Sequence, residues 1–157
     1  MTAGERLRAV VDAACPRLLA LTLTETGLRP APGRWSAREI VGHLIDSATN
    51  NHRRFVLAMQ QDDFVFPGYA QDAWVALQHY QEAPWTELVT LWRELNRHLA
   101  RIMDAAGEEQ RTRKRHRHNL HQLAFNAIPE TEPATLEYFM QDYIDHIEHH
   151  LRQLLPA

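Results

Sequence analysis

Cysteine is almost absent from this sequence. Cys15 is the only cysteine among 157 residues, so the chain cannot form an internal disulfide or build a metal site from several thiolates. Any metal that this chain holds must therefore be bound mainly through nitrogen and oxygen ligands.

Long apolar runs and an excess of positive charge are missing as well. No stretch approaches the roughly 20 apolar residues that span a bilayer, and Glu5 and Asp12 stand where a secretory signal would be apolar. The formal net charge is -3, which gives the molecule no general electrostatic attraction for polyanions. We therefore expect a cytoplasmic protein that binds neither a membrane nor nucleic acid.

Helical periodicity is the main feature that the chain does have. Apolar residues make up 45% of the sequence and charged residues 24%, as in an ordinary globular protein, and the length fits one domain over 1–157. Apolar spacing predicts four long helices and one short one. The long ones cover about 4–26, 36–60, 84–107 and 133–155, and the short one about 72–80.

Local signals set the expected ends and connections of these helices. Pro16 lies inside the first helix and would kink or break it, whereas Ser36 followed by Glu39 gives the second a capping box. Asp72 is the expected cap of the short helix. Three of the connections are long, which favours at least one crossover. The sequence therefore predicts an all-α four-helix bundle with long crossover connections.

Histidine is unusually frequent, and the last predicted helix carries three of the ten. At about 100 degrees per residue, His150 lies within roughly 60 degrees of the apolar direction, His146 about 100 degrees and His149 about 160 degrees from it. We expect His146 and His150 to face the interior and His149 to face solvent. His146 and His150 share one side of the helix with Asp142 and Gln153. These four side chains either hydrogen-bond only to one another or belong to a metal site.

A catalytic metal ion usually has a third protein ligand, and His43 on the second predicted helix is the candidate. The apolar face of that helix points roughly 140 degrees away from His43. His43 shares its side with Glu39, Ser47, Asn50 and Arg54. From the pattern alone, His43 could be an ordinary surface histidine rather than a metal ligand.

Two segments resemble the DinB/YfiT-like superfamily. RWSAREIVGHLIDSATNNHRRF resembles the family's Trp-Ser, Gly-His-Leu, Asp motif, and DYIDHIEHHLRQL resembles its C-terminal HxxxH helix. YAQDAWVALQHY and LWRELNRHL between them fit its middle region. The resemblance implies a four-helix bundle with crossover connections, commonly a homodimer, that holds one divalent metal through three histidines. Carried over position by position, the ligands are His43, His146 and His150.

The resemblance also implies two classes of activity, metal-dependent hydrolysis and transfer chemistry that uses a low-molecular-weight thiol. An ion with three neutral ligands keeps its full charge and acidifies a bound water or thiol, so one site supports either reaction. The leading hypothesis is a hydrolase or thiol S-transferase for a small-molecule substrate, with Asp142 and Asp46 as candidates for proton transfer. Zinc, nickel, iron and manganese all suit such a site. The alternatives are a metal-binding stress-response or interaction module without turnover, and a structural bundle that binds no metal.

A basic run, RTRKRHRH at 111–118, precedes the last helix. We expect it to be a solvated loop, with the histidines at 116, 118 and 121 exposed. A sharper hypothesis is that some of its arginines bind the carboxylates of an anionic thiol or substrate.

Overall fold

Four long helices dominate the computed structural model, which describes residues 1–157. They are α1 (Ala3–Leu19), α3 (Ala37–Gln60), α5 (Trp85–Ala105) and α8 (Leu136–Leu154). The connections contain the short helices α2 (Leu23–Gly27), α4 (Gln71–Leu77), α6 (Glu108–Thr112) and α7 (Leu120–Leu123), and a 3-10 turn at Tyr80–Glu82. Only isolated β-bridges occur, between Phe64 and His118 and between Arg115 and Ala134. The all-α prediction is confirmed.

The first predicted helix is in fact two helices. α1 includes Pro16 but ends at Leu19, and α2 begins at Leu23 with a capping box of its own, formed by Thr22 and Glu25. α1 continues for three residues beyond Pro16, so the proline does not end it, and the cap at Thr22 starts a separate helix. The prediction of one helix over 4–26 was therefore wrong.

The remaining long helices begin within three residues of their predicted starts. Ser36 and Glu39 form the predicted capping box of α3, Pro84 precedes α5, and the Thr135 hydroxyl caps α8. The short helix differs, because Ala70 precedes it and Asp72 lies in its first turn. Asp72 is therefore not its cap.

The order of the long helices around the bundle follows from their packing. α1 packs against α5 and α8, and α3 packs against the same two helices. α1 and α3 are therefore diagonal to each other, as are α5 and α8. The chain crosses the bundle between α1 and α3 and again between α5 and α8, which confirms the predicted crossover connections.

One continuous core holds these helices together, a cluster of 35 buried apolar residues. The ring of Phe55 on α3 makes edge contacts with Phe139 and Tyr143 on α8, with centroids 5.6 and 5.8 Å apart. Aromatic pairs in this geometry add to the stability from buried area, so the crossing of α3 and α8 is fixed by packing. No helix combines the length and apolar character that crossing a membrane requires.

The basic run is mostly exposed, but several of its arginines are fastened to the protein. Arg111 pairs with Glu137 at 2.6 Å, and Arg113 pairs with Asp62 at 3.0 Å. Arg115 is 3% exposed and its guanidinium lies 4.5 Å above the centre of the Phe64 ring. The expectation of a solvated loop was therefore wrong for Arg115, whereas Arg113, Lys114, His116 and Arg117 are exposed as expected.

One histidine of the same segment is also buried, contrary to expectation. His118 is 4% exposed, and its Nε2 lies 2.6 Å from the carbonyl oxygen of Glu132. Its Nδ1 accepts the backbone N–H of Leu120 at 3.1 Å. Both ring nitrogens are thus used to hold the connection between α6 and α8.

Candidate metal centre

Three histidines meet where α3 crosses α8. The Nε2 atom of His146 lies 3.2 Å from the Nε2 of His43 and 3.1 Å from the Nε2 of His150. The three ligand atoms all lie within 4.8 Å of one another. The structure thus brings together the three residues that the sequence suggested as ligands.

The helices explain how these side chains converge. His146 and His150 are four residues apart, so their side chains lie one above the other on α8. His43 comes from α3, and α8 covers it so closely that it is 1% exposed. The polar side of α3 is therefore a buried wall of the site.

Burial keeps these imidazoles neutral at pH 7. It lowers the pKa of His43 to about 4 and that of His146 to about 3, and the neighbouring histidine charges act in the same direction. Burial also lowers the pKa of His150. Neutral imidazole is the form that binds a metal ion, so the folded protein presents the ligands in the required state.

Two neighbours orient the histidine rings. The Nδ1 of His150 lies 2.9 Å from the side-chain oxygen of Gln153, and the ring of Trp35 lies against the ring of His43 with centroids 4.9 Å apart. The Nδ1 of His43 is buried and has no hydrogen-bond partner. His150 is therefore held by a hydrogen bond, whereas His43 is held by ring packing.

The spacing of the nitrogens fits a divalent ion. Ligands bound at 2.0–2.1 Å in a tetrahedron lie about 3.3 Å apart, close to the two short nitrogen separations here. The Nε2 of His146 contacts both other Nε2 atoms but has only one hydrogen or one lone pair to offer, whereas a cation accepts a lone pair from each of the three rings. Three protein ligands would also leave a coordination position open.

A cleft of about 430 Å³ opens beside these histidines. Its walls come from α3, α8, the start of α4 and the two loops that precede α4 and follow α7. The polar and aromatic residues that line it include Asn51, Arg54, Tyr69, Gln71, Gln122, Phe125, Asp142, Tyr143, His146, His149 and His150. Its size is that of a small-molecule pocket.

The two aspartates named as proton-transfer candidates lie in different surroundings. Asp142 lines the cleft, and its two oxygens accept the backbone N–H groups of Phe125 at 2.8 Å and Asn126 at 2.6 Å. Asp46 is 2% exposed and accepts a hydrogen bond from the Tyr80 hydroxyl at 2.7 Å. Asp46 does not line the cleft. A catalytic role for either stays a prediction.

His149 and the basic run are not where the sequence suggested. His149 lines the cleft and packs against Phe125, with ring centroids 5.1 Å apart, so it is half-buried rather than fully in solvent as expected. No residue of the basic run lines the cleft, and its arginines are engaged elsewhere.

Sequence reasoning missed several groups of the cleft, above all Arg54 and Tyr69. Arg54 was recognised only as a residue on the His43 side of its helix, and that shared side was the available signal. Tyr69 and Phe125 come from connections, for which helical periodicity carries no information.

Comparisons with known proteins agree with this architecture. The model of a family described as the DinB superfamily matches residues 4–154. The Bacillus subtilis (strain 168) protein named "Putative metal-dependent hydrolase YfiT" is 26% identical over 122 residues, 78% of this chain and 63% of that protein. The match thus spans less than two thirds of that relative's length.

A solved structure has the same fold. It is described as YfiT from Bacillus subtilis, "a probable metal-dependent hydrolase with an unusual four-helix bundle topology". It superposes with a TM-score of 0.77 at 23% identity, over 97% of this chain and 81% of that one. From the match to the family model over nearly its whole length, this chain belongs to the DinB superfamily.

Proposed function

We propose that this protein is a divalent-metal-dependent hydrolase whose ion is held by His43, His146 and His150. The observation that carries the proposal is the convergence of three neutral Nε2 atoms beside a small-molecule cleft. A divalent ion bound by three neutral ligands supplies Lewis-acid chemistry and acidifies water at its open position.

The chain's own groups prepare this site in two ways. Phe125 packs against the rings of His146 and His149, with centroids 5.5 and 5.1 Å apart, and so covers one side of these two rings. Asp142 fixes the backbone at Phe125 and Asn126. Asp142 therefore acts as a positioning residue for the cleft wall, and we assign it no contact with the substrate.

The name of the relative supports hydrolysis over the other reactions that the sequence left open. Its "metal-dependent hydrolase" description concerns that protein, and we extend it here to this chain as a proposal. Zinc, nickel, iron and manganese are the candidate ions, since imidazole ligands accommodate each of them.

The first test is metal content, measured by elemental mass spectrometry on untagged protein reconstituted with each candidate ion. We expect close to one equivalent in the wild type, and loss of the ion in both His43→Ala and His150→Ala. His116→Ala is the matched control, because His116 is exposed and does not line the cleft. A wild type that retains no ion, or a His43→Ala variant that retains it, would overturn the ligand assignment.

The second test is turnover by the metal-loaded protein on panels of esters, amides and phosphoesters. Hydrolysis that disappears in His150→Ala would support the proposal. Turnover that requires an added low-molecular-weight thiol would contradict hydrolysis and favour the S-transferase alternative. A stoichiometric ion without any turnover would favour the metal-binding module.

A further inference from the structure

Arg54 is a buried positive charge without a negative partner. It is 6% exposed, and its only hydrogen bond within the protein runs from Nη2 to the carbonyl oxygen of Pro67 at 3.1 Å. Its Nε is buried and has no partner. Because a guanidinium carries several N–H donors and stays protonated in proteins, most of the hydrogen-bonding capacity of Arg54 is unused.

The other buried arginine, Arg115, also leaves its Nε without a partner, but the rest of its guanidinium is better satisfied than that of Arg54. The guanidinium of Arg115 donates to the carbonyl oxygens of Gln61 and Gln110, both at 3.3 Å, and lies over the ring of Phe64. Many of the remaining arginines pair with carboxylates on the surface, as Arg113 does with Asp62. Arg54 has neither arrangement.

The unpaired charge of Arg54 faces the cleft. Arg54 lines the same cavity as His146 and His150, and it lies on the side of α3 that carries His43. Asp142 is the only carboxylate in the cleft lining, and its oxygens are occupied by the backbone N–H groups of Phe125 and Asn126. The cleft is thus left with a positive charge that nothing in the protein compensates.

Burying an unpaired charge is costly, and a ligand that supplies the opposite charge recovers that cost. We propose that Arg54 binds a carboxylate group of the substrate, while the substrate's reacting bond lies at the three histidines. This inference rests on the proposed function, and it specifies the substrate as a small carboxylic acid anion. One guanidinium matches the single charge and planar oxygen pair of a carboxylate.

Neighbouring groups fit this assignment. Tyr69 lines the cleft close enough to Arg54 for the guanidinium charge to act on its phenol. Asn51 lies between Ser47 and Arg54 on the same face of α3, donates its amide N–H to the Ser47 carbonyl at 2.9 Å, and leaves its own side-chain oxygen without a partner. The Tyr69 hydroxyl is therefore a further donor at the Arg54 end of the cleft, whereas the free Asn51 oxygen can only accept a hydrogen bond.

The test uses zinc-reconstituted protein and a matched pair of probes, benzoate and its uncharged analogue benzamide. Binding is followed by NMR titration, including the Nε–H resonance of Arg54. We expect benzoate to shift that resonance in the wild type and to bind at least tenfold more weakly to Arg54→Gln. Arg113→Gln, which removes the same charge from the surface, should bind benzoate as the wild type does, within twofold.

Several outcomes would overturn the inference. The first is an equal affinity of the wild type and Arg54→Gln for benzoate. The second is a loss of benzamide affinity in Arg54→Gln as large as the loss of benzoate affinity. The third is an Arg54 resonance that inorganic phosphate shifts and benzoate does not. If Arg54→Gln fails to fold, the wild-type resonance alone decides, because a purely structural arginine would not respond to benzoate.

Zinc content measured on the same samples separates this inference from the proposed function. A wild type that retains no zinc contradicts the proposed function itself. Equal zinc in the wild type and Arg54→Gln, together with equal benzoate affinity, contradicts only the role of Arg54.

Discussion

Gln153 fixes the tautomer of His150. The side-chain oxygen of Gln153 lies 2.9 Å from the Nδ1 of His150, and its nitrogen lies 3.3 Å from the Nε2 of His149. A carbonyl oxygen can only accept, so the Nδ1 of His150 carries the hydrogen and its Nε2 keeps a free lone pair. The lone pair points at the other histidines of the site, as a metal ligand requires.

Replacing Gln153 should therefore weaken the site without removing a ligand. We expect Gln153→Leu to lower metal affinity by about tenfold or more, the usual effect of losing such a hydrogen bond, when measured by competition with a chromophoric chelator. Gln141→Leu, on the same helix but hydrogen-bonded to Arg6, is the control. Unchanged affinity in Gln153→Leu would mean that packing alone orients His150.

Asp142 gives a second prediction, which separates positioning from proton transfer. Both of its oxygens accept backbone N–H groups, and an asparagine offers only one such oxygen. We expect Asp142→Asn to lower the free energy of unfolding by about 1–3 kcal/mol, the usual cost of a buried group left unpaired, with metal content unchanged.

Urea unfolding and elemental analysis check this prediction, with Asp12→Asn on the surface as the control. Full stability together with abolished turnover would instead place Asp142 in proton transfer.

The architecture was predictable because it depends on local periodicity and caps. Each long helix carries a continuous apolar stripe, and the cap of α3 at Ser36 follows from the spacing to Glu39 alone. The end of α1 at Leu19 was missed, because the apolar pattern continues through the new cap at Thr22. Periodicity identifies which residues can be buried, but it does not say at which residue a helix ends.

The site was only partly predictable, because its environment comes from contacts between helices and loops. His43 lies opposite the apolar face of α3 and is nevertheless buried, since α8 packs across that polar side. His149 was expected in solvent, but the loop that carries Phe125 folds over it. Arg54 is enclosed by the loop of Pro67 and Tyr69. Such contacts between distant segments leave no regular spacing in the sequence.

Gly42 gives a third prediction, about the residue next to His43. A Cβ at this position would lie 2.2 Å from the ring of Tyr80, and that ring is held by its hydroxyl bond to Asp46. We expect Gly42→Ala to destabilise the protein by about 1–3 kcal/mol through overpacking and to weaken metal binding by displacing His43.

Thermal unfolding and metal content check this expectation. Gly27→Ala is the control, since no atom lies within 4 Å of a Cβ built there. Equal melting temperatures for the two variants would show that Tyr80 moves aside at little cost.

The metal-free protein should lose stability between pH 7 and pH 5. Burial lowers the pKa of His43 to about 4 and of His146 to about 3, whereas both residues titrate near 6.5 in the unfolded chain. Over this range the unfolded state binds more protons than the folded state, so stability falls as the pH falls. Each histidine should contribute about 2 kcal/mol to that loss.

Urea unfolding of chelator-treated protein at the two pH values measures this effect. His146→Asn should reduce the loss by about 2 kcal/mol, because the asparagine does not titrate. His79→Asn should leave the loss unchanged, since His79 is exposed in the folded protein. If His146→Asn lost as much stability as the wild type, His146 would have to be protonated in the folded state at pH 5, and its nitrogen would not be available to a metal there.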